Sequence, residues 1–283
     1  MLSLALEVAV LQAGNLNQQG VDRFKAHQYA AAIEAFKTAA QSEEEGTPVF
    51  KESMLMIGQS YFMLSQAPKA IPFLEKVAGF TDADYMLGYA YIQNRQPDLS
   101  EVAFARLFHL DSKSASGHLL AGQMLLKKGF EPEAEAELQK ALQLNAGLPE
   151  ANFLLGEIAM FEGRVPAAIK YLQNELSLNP NFSMAWYRLG DAYVRQQQWD
   201  DAVSQLQRAI WLNPDFSGPY ILLGKCYLKQ GSYSNAEGIL RKGLKLDPNN
   251  ASGTYLLGQT LMAEGKTNEA HAEMEKVKSL RSE

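Results

Sequence analysis

The sequence predicts an all-α solenoid built from about eight pairs of helices, and three observations predict it. A glycine recurs every 34 residues from Gly88 through Gly122, Gly156, Gly190 and Gly224 to Gly258. Each is followed 12 residues later by a small residue and 16 residues later by a large apolar one, as in Gly190, Ala202 and Leu206. Around these markers the apolar residues step by three and four, the period of one helix face, and the pattern breaks once inside each unit, as at Arg195–Gln198. Each unit is therefore two amphipathic helices joined by a tight turn. A fixed period of this length means a solenoid. Its repeats bury apolar faces only on their neighbours, so a chain of 283 residues needs no split into globular domains.

The stretch Ser183–Phe216 states the rule most clearly. Gly190 and Ala202 are small because two helix backbones approach there and larger side chains would overpack the crossing. Pro214 cannot continue the second helix and separates this unit from the next, as Pro180 and Pro248 do elsewhere. The glycine has earlier counterparts at Gly20 and Gly58. The small position reads Ala32, Ala70, Ser100, Ala134, Ala168, Ala202, Ala236 and Ala270, and the large one Phe36, Leu74, Phe104, Leu138, Leu172, Leu206, Leu240 and Met274.

This register resembles the tetratricopeptide repeat family over about residues 13–283. The resemblance implies a right-handed α-solenoid of about eight helix-turn-helix repeats, at about 13–46, 51–80, 81–114, 115–148, 149–182, 183–216, 217–250 and 251–283. Residues 1–12 stand apart as an N-terminal apolar helix or a signal remnant.

The opening stretch, MLSLALEVAVLQAG, is too short to span a bilayer and lacks the basic start of a secretory signal. Its Ala and Leu content predicts a helix that runs into the first repeat and shields its apolar face. A cytoplasmic location is favoured, with export or a periplasmic site if the stretch is a signal remnant. In the first repeat Arg23 takes the place of Tyr61, Tyr91, Tyr193 and Tyr227, so Phe24 is expected to supply the apolar contact. Ser42–Gly46 reads as an acidic loop, and Pro48 suits the first turn of the next helix. The spacing is 38 from Gly20 to Gly58 and 30 from Gly58 to Gly88. The second repeat therefore has a short second helix, from near Pro68 to Gly79, and a local break in regularity is expected there. Thr81 or Asp82 is expected to cap the helix that follows.

In the third repeat Pro97 and Asp98 start the second helix, and Ser100 replaces the usual Ala. In the fourth, Gly129 marks the internal turn. Glu131, Glu133, Glu135 and Glu137 follow, read as a solvated face that complements a helix N-terminus rather than as a metal site. Glu175 in the fifth repeat, where others carry small or apolar residues, either reaches solvent or pairs with a neighbour. In the eighth, Lys278 replaces the apolar residue seen at Leu142, Leu176, Ile210 and Leu244. That is the polar outer face of a terminal cap, and it implies a natural C-terminus.

Chemistry is sparse. His27, His109, His118 and His271 have no metal-ligand spacing, and there is no phosphate-cradling loop or nucleophile elbow. No catalytic residue, metal or cofactor is expected, and an enzyme is not. Cys226, the one cysteine, reads as a small buried hydrophobe. A net charge of −6 argues against nucleic acid and anionic membrane surfaces as partners. Asn181 and Asn250 sit in acceptor-like triplets for glycosylation but fall at inter-repeat turns, where Asn caps helices.

What remains is the inner surface. In the resembling family the first helix of each repeat lines a concave groove. Three residues before each glycine this chain has Tyr85, Phe153, Tyr187, Ile221 and Tyr255, among others; one residue after come Tyr89, Glu157, Asp191, Lys225 and Gln259. Arg188 and Arg195 lie two before and five after Gly190. The family's clamp for acidic tails and its asparagine ladder are both unmatched. The groove is apolar and aromatic with a polar edge, and about half of its apolar residues belong to the core between helices. Such a surface suits a helical or extended peptide. The function expected is non-catalytic protein interaction, as scaffold or adaptor, with a protein or peptide ligand. The alternatives are a self-association module, which makes a homo-oligomer a further partner, and a regulatory fragment of an enzyme whose catalytic domain is absent.

Overall fold

The computed structural model describes residues 2–282, with side chains described for residues 13–280. Sixteen α-helices and one 3₁₀ turn follow one another, and no strand occurs among the described residues. The chain divides into two compact units, residues 1–146 and 147–283. The irregular spacing around the second repeat lies inside the first of them.

The first unit holds α1 (Leu2–Lys25), α2 (Tyr29–Gln41), α3 (Pro48–Met63), α4 (Ala67–Leu74), α5 (Thr81–Gln93), α6 (Pro97–Leu107), α7 (Ala115–Leu126) and α8 (Glu131–Leu144). The helix α1 is continuous from Leu2, as the N-terminal composition predicts. The side chains of residues 1–12, on which shielding would depend, lie outside the described residues. Phe24 packs against the core as expected, and Arg23 donates to the carbonyl of Ala31 at 3.1 Å. Thr47 caps α3 by accepting from the Phe50 N–H at 3.3 Å, with Pro48 in the first turn. The short helix α4 ends in a 3₁₀ turn at Glu75–Val77. One expected cap is different: neither Thr81 nor Asp82 caps α5. The buried carboxylate of Asp84 instead accepts from the Gly79 N–H, at 3.1 and 3.2 Å, and is held by Arg106 at 2.7 Å.

The second unit holds α9 (Ala151–Phe161), α10 (Val165–Leu178), α11 (Ser183–Arg195), α12 (Trp199–Leu212), α13 (Ser217–Lys229), α14 (Tyr233–Leu246), α15 (Ala251–Ala263) and α16 (Thr267–Ser282). The helices α10, α12 and α14 end at Asn179, Asn213 and Asp247, each with extended ψ of 77°, 86° and 84°. The proline that follows each one excludes helical backbone from the residue before it. Asn250 caps α15 by accepting from the Gly253 N–H at 2.8 Å, which is the capping role read for it. Lys278 is exposed and pairs with Glu275 at 2.6 Å.

Two devices repeat through both units. A Cβ on the marker glycine would collide with the large apolar residue of the second helix: at Gly190 it would meet Leu206 Cγ at 2.7 Å, and at Gly156 Leu172 Cγ at 2.9 Å. These large residues are fully buried from Phe36 to Leu240. The glycine therefore makes room for a side chain sixteen positions on, more than for the Ala of the crossing. The second device is the turn. Seven residues after each marker glycine the backbone is left-handed, at His27, Ser65, Arg95, Gly129, Gly163, Gln197, Gly231 and Gly265. Around Gln197, the Gln198 N–H reaches the Tyr193 carbonyl at 2.9 Å and the Gln197 N–H reaches Val194 at 3.1 Å. These two bonds close the helix end in a Schellman motif.

Two acidic positions differ from, or complete, the sequence reading. Glu137 is not on a solvated face: it is buried, 2.7 Å from His118 Nδ1 and 2.9 Å from Lys140 Nζ. His118 comes from the neighbouring helix α7, so spacing within α8 reveals Lys140, three residues on, but not the histidine. Glu175 is fully buried and accepts from the backbone N–H groups of Glu150 (3.1 Å) and Phe153 (3.3 Å), closing the start of α9. Cys226 is fully buried, and burial pushes its thiol up to about 11. No helix among the described residues is long and apolar enough to cross a membrane.

Candidate functional site

In the second unit the first helices of successive repeats, α9, α11, α13 and α15, touch in series. This follows from the repeat itself, since each second helix packs on the first helix of its own repeat and of the next. The residues at the groove offsets then fall along one run of helices.

Four charged residues interlock there. Arg188 Nε lies 2.8 Å from Glu157 Oε1, which ties α11 to α9. Arg195 lies 3.5 Å from Asp191 one turn away and donates to the Met160 carbonyl at 3.0 Å. The Met160 carbonyl, near the end of α9, also accepts from the Gly163 N–H at 3.3 Å. Burial pushes the Glu157 carboxyl up, and Arg188 opposes the shift. Burial likewise raises the Tyr187 phenol, and the charge of Asp191 adds to it. The guanidinium of Arg188 sits 5.5 Å from the centre of the Tyr187 ring, within cation–π range.

Aromatic residues flank this set. Tyr187 meets Phe216 edge-on with ring centres 4.9 Å apart, and Phe153 meets Phe182 at 4.7 Å. Phe153, Tyr187, Arg188, Asp191 and Lys225 are partly exposed, and Arg195 and Tyr255 are exposed. Gln259 donates to the Tyr255 hydroxyl at 3.1 Å. Ile221 is different: it is buried and fills space left by Gly243 and Gly253. It supports the face from beneath.

The first unit carries a separate aromatic group. Tyr85 is exposed and meets Tyr89 edge-on at 5.0 Å. Tyr89 is buried, with its hydroxyl donating to the Met124 carbonyl at 3.1 Å, and burial raises its phenol well above the ordinary value. Lys128 Nζ lies 5.9 Å from the Tyr85 ring centre and 5.1 Å from that of Tyr89. Sequence reasoning missed Lys128, which sits six residues after Gly122 and outside the groove offsets. The basic residue one helix away from a tyrosine pair was its only signal.

The arrangement offers hydrogen-bonding groups, two guanidinium groups and ring faces on regular helices. It fits the binding of a chain segment.

Comparison with known proteins agrees with the repeat register. A tetratricopeptide repeat model matches residues 17–84, 85–152, 132–181, 153–215 and 187–251, and a second one matches residues 227–280. No curated protein matches the chain. Among solved structures, MamA aligns with a TM-score of 0.54 at 25% identity, over 57% of this chain and 94% of that one. MamA from Desulfovibrio magneticus RS-1 aligns with a TM-score of 0.56 at 24% identity, over 59% and 95%. YrrB, a tetratricopeptide repeat protein with an unusual peptide-binding site, aligns with a TM-score of 0.56 at 21% identity, over 64% and 93%. With repeat models matched from residue 17 to residue 280 and helices paired throughout, the chain belongs to the tetratricopeptide repeat family.

Proposed function

We propose that this protein is a non-catalytic interaction scaffold that holds an extended or helical peptide on the first-helix face of residues 147–283. The observation that carries the reading is the set Glu157, Arg188, Asp191 and Arg195, flanked by partly exposed Phe153 and Tyr187. Arg188 and Arg195 are only partly used by their internal partners. A guanidinium has five donors, and those left over suit the carbonyls or carboxylates of a peptide. The rings supply apolar contact at low entropic cost, since each has two rotatable bonds. Lys225 on α13, and Tyr255 and Gln259 on α15, extend the same face by two repeats. YrrB, a fold relative, is itself described by its peptide-binding site, and that supports a peptide as the ligand class here.

The test is selection from a displayed peptide library, followed by rebinding to variants. The double variant Tyr187→Ala/Arg188→Ala is expected to lose about 2 kcal/mol or more of peptide affinity, the size of a binding hot spot. Its circular dichroism is expected to match the parent, since both side chains are partly exposed. Selected peptides that rebind the double variant as tightly as the parent would place the ligand elsewhere.

A further inference from the structure

Three helices of the first unit bring a histidine and two carboxylates together around one point. Glu101 comes from α6, His118 from α7 and Glu137 from α8, so the third and fourth repeats both contribute. His118 Nδ1 lies 2.7 Å from Glu137 Oε2 and 3.3 Å from Glu101 Oε1. One ligand atom from each of the three lies within 4.8 Å of the others. All three residues are buried, at 8%, 8% and 4% exposure. An ion with bonds of about 2.1 Å in tetrahedral arrangement spaces its ligands roughly 3.4 Å apart. The 3.3 Å between His118 Nδ1 and Glu101 Oε1 already matches that spacing.

A second observation points the same way. Glu101, Glu137 and Lys140 line a cavity of about 270 Å³, and Ser100 lines it too. Ser100 is 1% exposed, and its hydroxyl has no hydrogen-bond partner. A buried hydroxyl without a partner is costly and calls for an unseen water or ion beside it. Seven of the eight repeats carry Ala at this position, and the exception adjoins the cluster.

We propose that Glu101, His118 and Glu137 bind a divalent transition-metal ion of the zinc type, with Ser100 bonded to water on that ion. Imidazole and carboxylate together suit such ions better than magnesium or calcium, which take oxygen ligands alone. Lys140 is the internal competitor. Its ammonium lies 2.9 Å from Glu137 Oε1 and 3.8 Å from Glu101 Oε2 and is 43% exposed, so it moves into water when the ion enters. Because the ligands come from three helices, the ion would pin the third repeat to the fourth, and its binding energy would add to folding stability.

The experiment is titration of the full chain, stripped with chelator, with Co²⁺ and then Zn²⁺. Visible absorption, calorimetry and thermal melts are followed at one fixed pH. One ion per chain is expected, with a saturable rise in melting temperature. His118→Gln and Glu137→Gln are each expected to weaken binding by about 100-fold or more, beyond the roughly 10- to 100-fold loss that outer partners of a metal site cause. Lys140→Ala is expected to tighten it. That gain separates a metal site from a plain ion-pair network, and it does not depend on whether the His118 variant folds. No saturable binding in the parent and in Lys140→Ala would overturn the proposal, and so would binding unchanged in a folded His118→Gln.

Discussion

Gly190 and Gln197 show how much of each repeat rests on single positions. The space a Cβ would need at Gly190 is held by Leu206, which is fully buried. Gly190→Val is expected to cost ~1–3 kcal/mol by overpacking, read from denaturant unfolding followed by circular dichroism. Unchanged stability would mean that Leu206 moves aside freely. Gln197 is left-handed, at φ 60°, where four of the eight equivalent positions carry Gly. A side chain in that conformation is disfavoured, and glycine is not. Gln197→Gly is therefore expected to raise stability by about 0.5–1 kcal/mol in the same assay, with the peptide-binding face untouched. The Gly–Ala–apolar register was readable from sequence because each contact closes within one unit of fixed spacing. The burial of Glu137 was not, because its partner His118 lies 19 residues away on another helix.

Helix ends are where the elements are tied to one another. Glu175, on α10, closes the start of α9 through two backbone N–H groups. Glu175→Ala would take the acceptor away from those partly buried donors, which is expected to cost about 1–3 kcal/mol. The cooperative melt of the chain measures it. Glu237, on α14, plays a related part for the last repeat. It accepts from Lys266 at 2.5 Å and Arg241 at 2.8 Å, and these bonds, Lys266 first, hold its carboxyl down at about 2 against an ordinary 4.5. A carboxyl lowered by folding adds stability that is fully present above pH 4.5 and lost as pH falls toward 2. The melting temperature of the parent is expected to drop across that window more steeply than that of Glu237→Gln. Equal slopes would show that the bonds contribute nothing. The boundaries of most elements could be read from prolines and caps, as at Pro48, Pro97 and Asn250. The start of α5 could not, because Asp84 acts from inside the helix while Thr81 and Asp82 stand idle.

At the scale of the whole molecule, the repeat count and all-helical fold follow from the 34-residue period, since a solenoid is local by construction. The division at residues 146 and 147 left no mark in that period, which runs unbroken from Gly122 to Gly156. The groove was half legible. The offsets name Glu157, Tyr187, Arg188 and Asp191, which meet in space, but they also name Tyr89 and Ile221, which are buried. Exposure at those two positions depends on the neighbouring repeat, and periodicity within one repeat does not encode it. The most direct measurement of the central claim is hydrogen exchange on the full chain with a library-selected peptide bound. Binding on the first-helix face predicts slowed exchange in α9, α11, α13 and α15, with α10, α12, α14 and α16 unchanged. Protection confined to the second helices, or to residues 1–146, would contradict it.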